Sequence, residues 1–136
     1  MTQTPTPPPH SAPISPTEAE LEILRVLWSR GPGTVRDVHD AVRRAKPVTY
    51  TTILKQMQVM HQKGLLARSE RYRSHVYRPG QPQAQVQKRL AQSLLSRAFG
   101  GSARGLLQSA LAGRKVGPGE IEEIRGLLDE LARKPR

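Results

Sequence analysis

The sequence predicts a mainly α-helical chain, with a winged helix-turn-helix domain followed by a small helical dimerisation domain. Three observations carry that prediction. Apolar residues recur at helical spacing in successive segments, each closed by Gly or Pro. After the third segment, two short alternating stretches enclose a polar turn, the pattern of a hairpin. Between Lys46 and Arg78, seven lysines and arginines stand against one acid, Glu70, so the third helix and the hairpin are strongly basic.

Residues 1–13, MTQTPTPPPHSAP, hold almost nothing to bury and read as a disordered arm with polyproline character. The winged helix is expected over residues 14–80. Its first helix opens at Ser15-Pro16-Thr17, where Thr17 and Glu20 have the spacing of a capping box. Leu21, Leu24, Leu27 and Trp28 recur along one face, and Ile23 and Val26 widen it, which assigns Trp28 to the core. Glu18, Glu20 and Glu22 complement the positive end of the helix, and Gly31-Pro32-Gly33 stops it. A second helix starts at Thr34, with Asp37 as cap partner and Val35, Val38 and Val42 facing inward. His39 is expected on its outer edge. Arg43, Arg44 and Lys46 crowd its end, and Lys46-Pro47 breaks it.

The third helix is expected over residues 50–63, with Thr49 as N-cap and Gly64 as stop. Ile53, Met57 and Met60 fall on one face. Thr51, Thr52, Lys55, Gln58, Val59 and Gln62 fall on the other, which carries no acid. A merely solvated face would alternate Glu and Lys, whereas a face without acid suits an approach to phosphates. Residues 65–70 and 75–78 then form the hairpin strands around a turn at residues 71–74.

Pro79-Gly80-Gln81-Pro82 marks a change of composition, and a second domain is expected over residues 81–136. One helix covers residues 83–99, a second residues 102–112, and a third follows Pro118-Gly119. A segment of about 55 residues is a poor size for a self-sufficient core, so a core shared by two chains is expected, as an intertwined homodimer, with packing of these helices back on the first domain as the alternative. The dimerisation set is Leu90, Leu94, Phe99, Leu106, Leu107, Leu111, Ile121, Ile124 and Leu128.

Over 136 residues, 22 Lys and Arg oppose 11 acids, a net charge of +11. Such a surplus points to a polyanion, with nucleic acid ahead of an anionic membrane surface. The absence of cysteine excludes disulfides, zinc fingers, thiolate metal sensing and cysteine nucleophiles. No apolar run approaches the ~20 residues of a membrane span. No signal peptide is evident, and the lack of cysteine fits a cytosolic protein. His10, His39, His61 and His75 lack metal-ligand spacing, and no phosphate loop, nucleophile elbow or HExxH occurs. The expectation is a protein that is not an enzyme and has no cofactor, metal or small-molecule substrate.

In a helix-turn-helix the second helix of the motif lies in the major groove, with its N-terminal residues on base edges. That helix is here the third. Thr51 and Thr52 can bond bases or phosphates, and their methyl groups suit a thymine methyl. Lys55 can reach a guanine edge or a phosphate, with Gln58 on the same side. Thr49 and Tyr50 sit where free helix N–H groups meet the DNA backbone. Arg71 and Arg73 at the hairpin tip can bridge phosphates or probe a minor groove, while Arg68 and Arg78 act as field charges. The partner is then double-stranded DNA. Two other readings remain open, a winged-helix protein-interaction module and a nonspecific nucleic-acid-binding protein. RNA modules expose aromatic platforms, and only Tyr50, Tyr72 and Tyr77 are placed near the basic face.

From Ile14 to Leu131 the chain resembles the penicillinase-repressor family, the BlaI/MecI type of bacterial regulator. The resemblance lies in the ordered set TEAELEILRVLW, GPGTVRDV, TYTTIL with a following HQKGL, HVYRP, and GEIEEIRGLLDEL. It implies a cytoplasmic homodimeric repressor of transcription on an inverted-repeat operator, one half-site per winged helix. It further implies derepression by proteolysis within the dimerisation domain, triggered by a membrane-bound sensor metalloprotease. Three departures stand out. Val59 occupies a place where family members often carry arginine, with Lys55 or Lys63 to compensate. Ser109-Ala110 stands where the beta-lactam-responsive repressors have their Asn-Phe scissile bond. The cysteine pairs of the copper-responsive relatives are missing.

Overall fold

The computed structural model describes residues 15–69 and 74–134. The Pro-rich arm expected over residues 1–13, and Tyr72, Arg71 and Arg73 of the hairpin tip, lie outside the described residues. The elements are α1 (Glu18–Arg30), α2 (Val35–Val42), α3 (Tyr50–Lys63), β1 (Leu66–Ser69), β2 (Val76–Pro79), α4 (Gln83–Phe99), α5 (Ala103–Leu111) and α6 (Pro118–Arg133). Three helices and a two-stranded antiparallel hairpin, followed by three more helices, make the winged helix-turn-helix and helical order predicted from the sequence.

Local chemistry sets the helix ends. Glu20 N–H donates to Thr17 Oγ1 at 3.2 Å, and Thr17 N–H donates to Glu20 Oε1 at 2.9 Å, so α1 opens on a complete capping box. Thr34 and Asp37 repeat the device on α2, at 2.9 and 3.2 Å. The N–H of Thr34 is the main reason that the Asp37 carboxyl lies below its ordinary value, and the charge of Arg30 adds to it. At the end of α3, Gly64 adopts a left-handed φ of 87°. Its N–H bonds His61 O, and Leu65 N–H bonds Met60 O at 2.9 Å, which is a Schellman termination. Leu65 is therefore taken up in the termination of α3 that Gly64 caps, and the first strand begins at Leu66, one residue later than expected.

In the hairpin, Leu66 faces Pro79 and Arg68 faces Tyr77. Gly33 extends this small sheet, bonding Tyr77 through both backbone groups at 2.8 and 2.9 Å. The core takes Ile23, Leu24 and Leu27 from α1, Val35, Val38 and Val42 from α2, and Ile53, Met57 and Met60 from α3. Leu65, Leu66, Tyr77 and Val86 close it. Trp28 is half-buried against this cluster. Tyr77, placed near the basic face by sequence position, is 1% exposed. Its pairing with Gly33 and Arg68 turns the ring inward, so it offers no stacking platform.

The chain falls into two compact units that divide between Gln92 and Ser93, later than the change of composition at Gly80 suggested. Val86 is buried in the first core and Leu90 packs against it, so the first half of α4 belongs with the winged helix. In the second unit, none of residues 93–134 is buried, and Leu94, Leu127, Leu128 and Leu131 are about half exposed (50–55%). No described helix is long and apolar enough to cross a membrane.

Candidate nucleic-acid interface

The α3 helix presents two different sides. Its inner side is anchored by Ile53, Met57 and Met60, all buried. Its outer side exposes Thr51, Thr52, Lys55, Gln58, Val59 and Gln62. This division follows from the 3.6-residue period, because residues three and four apart share a face. The outer side carries no acid, and among the described residues Lys55 has no ion pair.

The start of α3 is tightly organised. Thr49 Oγ1 accepts from Thr52 N–H at 3.1 Å and donates to Thr52 Oγ1 at 2.9 Å. The Thr52 hydroxyl proton therefore stays available to point away from the cap. Tyr50 is 43% exposed, and its ring meets that of His39 edge-on, with centroids 5.9 Å apart and planes at 89°. On the other side of Tyr50 lies a polar cleft of about 440 Å³, lined by Thr34, Arg36, Tyr50, Gln58, Ser74 and His75 among others. It lies between the first turn of α2, the outer flank of α3 and the start of β2 with the two residues before it. Such a cleft, polar and carrying the exposed guanidinium of Arg36, suits a phosphodiester better than an apolar ligand.

The structure brings Thr49, Tyr50, Thr51, Thr52, Lys55 and Gln58 onto one continuous surface, while Arg71 and Arg73 fall outside the described residues. Two cations of the basic run are committed elsewhere. Lys46 Nζ pairs with Glu22 at 2.9 Å, and Lys63 Nζ pairs with the buried Glu20 at 2.7 Å. Lys63 thus ties the end of α3 to the start of α1 and is not free to compensate for Val59. Arg78 is exposed on β2, whereas Arg68 is half-buried.

Sequence reasoning missed three residues here. Arg36 and His75 line the cleft; both lie inside quoted family motifs, GPGTVRDV and HVYRP, but nothing in their spacing marked them as site residues. His39, expected at an outer edge, directs Nε2 to the Val48 carbonyl at 2.8 Å. Its only signal in the sequence was its place in the last turn of α2, next to the segment that leads into α3.

Among the apolar residues expected to mediate dimerisation, Leu90 is occupied against the first core. Leu94, Leu107, Ile121 and Leu128 are exposed, and Phe99, Leu106, Leu111 and Ile124 are half-buried. Ser109 and Ala110 lie exposed in the last turn of α5.

The chain is similar over most of its length to two known regulators. It is 31% identical over 117 residues to the transcriptional regulator BlaI of Mycobacterium tuberculosis, covering 84% of this chain and 83% of that one. It is 19% identical over 116 residues to the penicillinase repressor of Staphylococcus aureus, covering 85% and 92%. The sequence profile of the penicillinase repressor family matches residues 16–130, from the residue before the α1 cap into α6. With a match that runs through both compact units, the chain belongs to the penicillinase repressor family.

Proposed function

We propose that this protein is a sequence-specific transcriptional repressor that binds double-stranded DNA as a homodimer on an inverted-repeat operator. The observation that carries this reading is the exposed, acid-free side of α3, standing on a buried methionine-rich side and flanked by a basic hairpin. Thr51, Thr52, Lys55 and Gln58 face the major groove, where threonine methyl groups, amide groups and an ammonium discriminate bases. Thr49 and Tyr50, together with Arg71 and Arg73 of the hairpin tip, hold phosphates on either side and set the register. The names of the relatives, a transcriptional regulator and a penicillinase repressor, support the same role.

The homodimer rests on the second unit. A unit with no buried residue and several half-exposed leucines does not supply its own hydrophobic stabilisation. A second copy, which presents the same apolar residues around a two-fold axis, covers them symmetrically. One winged helix then reaches each half-site, and the second engagement becomes intramolecular. Release follows from the same design. A cut by a membrane-bound sensor metalloprotease near the exposed Ser109–Ala110 bond would separate α6 from the rest of the apolar set. It would lower operator affinity without touching α3.

The test is selection from a random duplex pool at ~150 mM salt, followed by a mobility shift on the selected sequence. An inverted repeat bound at least about a thousandfold more tightly than random duplex is the expected result. Equal affinity for selected and random duplex would refute sequence-specific repression.

A further inference from the structure

The segment between α2 and α3 sets the angle at which the proposed reading helix leaves the helix before it. After the N–H groups of Ala45 and Lys46 close on Val42 O, Pro47 offers no backbone donor, and the next backbone bond of this kind is Ile53 N–H to Thr49 O. Residues 43–47 are exposed, and only Val48 tucks partly against the core. Packing alone therefore holds little of this turn.

His39 supplies what the backbone does not. It sits in the last turn of α2, half-buried, and its Nε2 lies 2.8 Å from the Val48 carbonyl. A carbonyl only accepts, so Nε2 carries the proton and donates. The same ring abuts Tyr50, the first residue of α3, in an edge-on contact. One side chain of α2 thus grips the residue before the α3 N-cap and the residue after it. Among the described residues it is the one side-chain hydrogen bond from α2 to this turn.

We propose that His39 is a positioning residue that holds the N-terminal end of α3 at the angle required for DNA reading. It touches no base itself and acts through Val48 and Tyr50. The proposal rests on the DNA-reading role assigned to α3, because residues at the start of that helix meet base edges and hydrogen bonds weaken steeply with misalignment. Binding to random duplex depends on phosphate charge and tolerates a small tilt of the helix, whereas binding to a chosen sequence does not.

The experiment uses the full chain with two variants. His39→Gln keeps a donor near the Nε2 position, and His39→Leu keeps bulk without a donor. Amide exchange of Thr52 and Ile53 in the free protein reads the helix start directly. His39→Leu is expected to lower protection there about tenfold relative to α1, with His39→Gln close to the parent. On the duplex that the parent selects, His39→Leu is expected to bind about tenfold more weakly, with a change under about twofold on random duplex and near-parent binding by His39→Gln. The proposal is overturned if His39→Leu leaves the Thr52 and Ile53 amides unchanged, or if Gln fails to rescue. It is equally overturned if selected and random duplexes lose affinity alike in step with a falling Tm. Should the parent select no sequence, the repressor reading fails, and amide exchange still decides whether His39 positions α3.

Discussion

Glu20 shows how one residue joins two distant parts of the chain. It is 2% exposed, yet its oxygens serve the Thr17 N–H and the Lys63 ammonium. Because the Lys63 side chain is 39% exposed, screening weakens the charge attraction, and the cap is the larger contribution. Glu20→Ala should destabilise the fold by about 2 kcal/mol and Glu20→Gln by about 1 kcal/mol, since Gln keeps an acceptor for Thr17. Urea titrations would show it; equal effects of the two substitutions would remove the cap from this account. Asp37 gives a prediction in pH. Its carboxyl value is lowered on folding, so its contribution is present above its unfolded value and is lost as pH falls through the folded one. The stability gap between the parent and Asp37→Asn should therefore be constant from about pH 7 to about pH 5 and close below about pH 4. A gap that widens towards acid would contradict the cap. Both capping pairs were legible in the sequence because a cap acts across three residues. The Glu20–Lys63 pair was not, because its partners are 43 residues apart in the chain and meet only when α1 packs on α3.

Among the elements, α3 and its junction with the hairpin matter most. The start and stop of α3 were legible because Thr49 and Gly64 act locally. The approach of the hairpin to the helix end was not. Gly80 donates to Leu65 O at 2.8 Å, and a Cβ there would collide with the carbonyl oxygen of Gly64. Gly64→Ala should cost about 1 kcal/mol for its left-handed backbone. Gly80→Ala should cost about 2 kcal/mol, because backbone must move to admit the methyl group. Thermal unfolding of the two variants would rank them, and a milder Gly80→Ala would show that the hairpin gives way easily. The polar cleft beside α3 was also hidden from the sequence. Arg36, Tyr50, Gln58 and His75 come from three separate elements, and no spacing rule connects them.

For the whole molecule, the decisive feature is the contrast between a first unit with a closed core and a second with none. If a second copy covers the apolar residues of the second unit, Leu128→Glu should convert the protein to a monomer by sedimentation. The same change should weaken operator binding by about 100-fold or more while leaving α3 intact. A Leu128→Glu protein that remains dimeric would place the interface elsewhere. Caps, helical periodicity and Gly or Pro stops act within one or two turns, so the order and bounds of the helices could be read along the chain, as could the acid-free face of α3. Packing of the first core settled the rest. It turned Tyr77 inward, committed Lys46 and Lys63 to the acids of α1, carried His39 to Val48 and drew the first half of α4 onto the winged helix. These outcomes depend on residues far apart in the chain meeting in space, and no local pattern records which distant partner a side chain will meet.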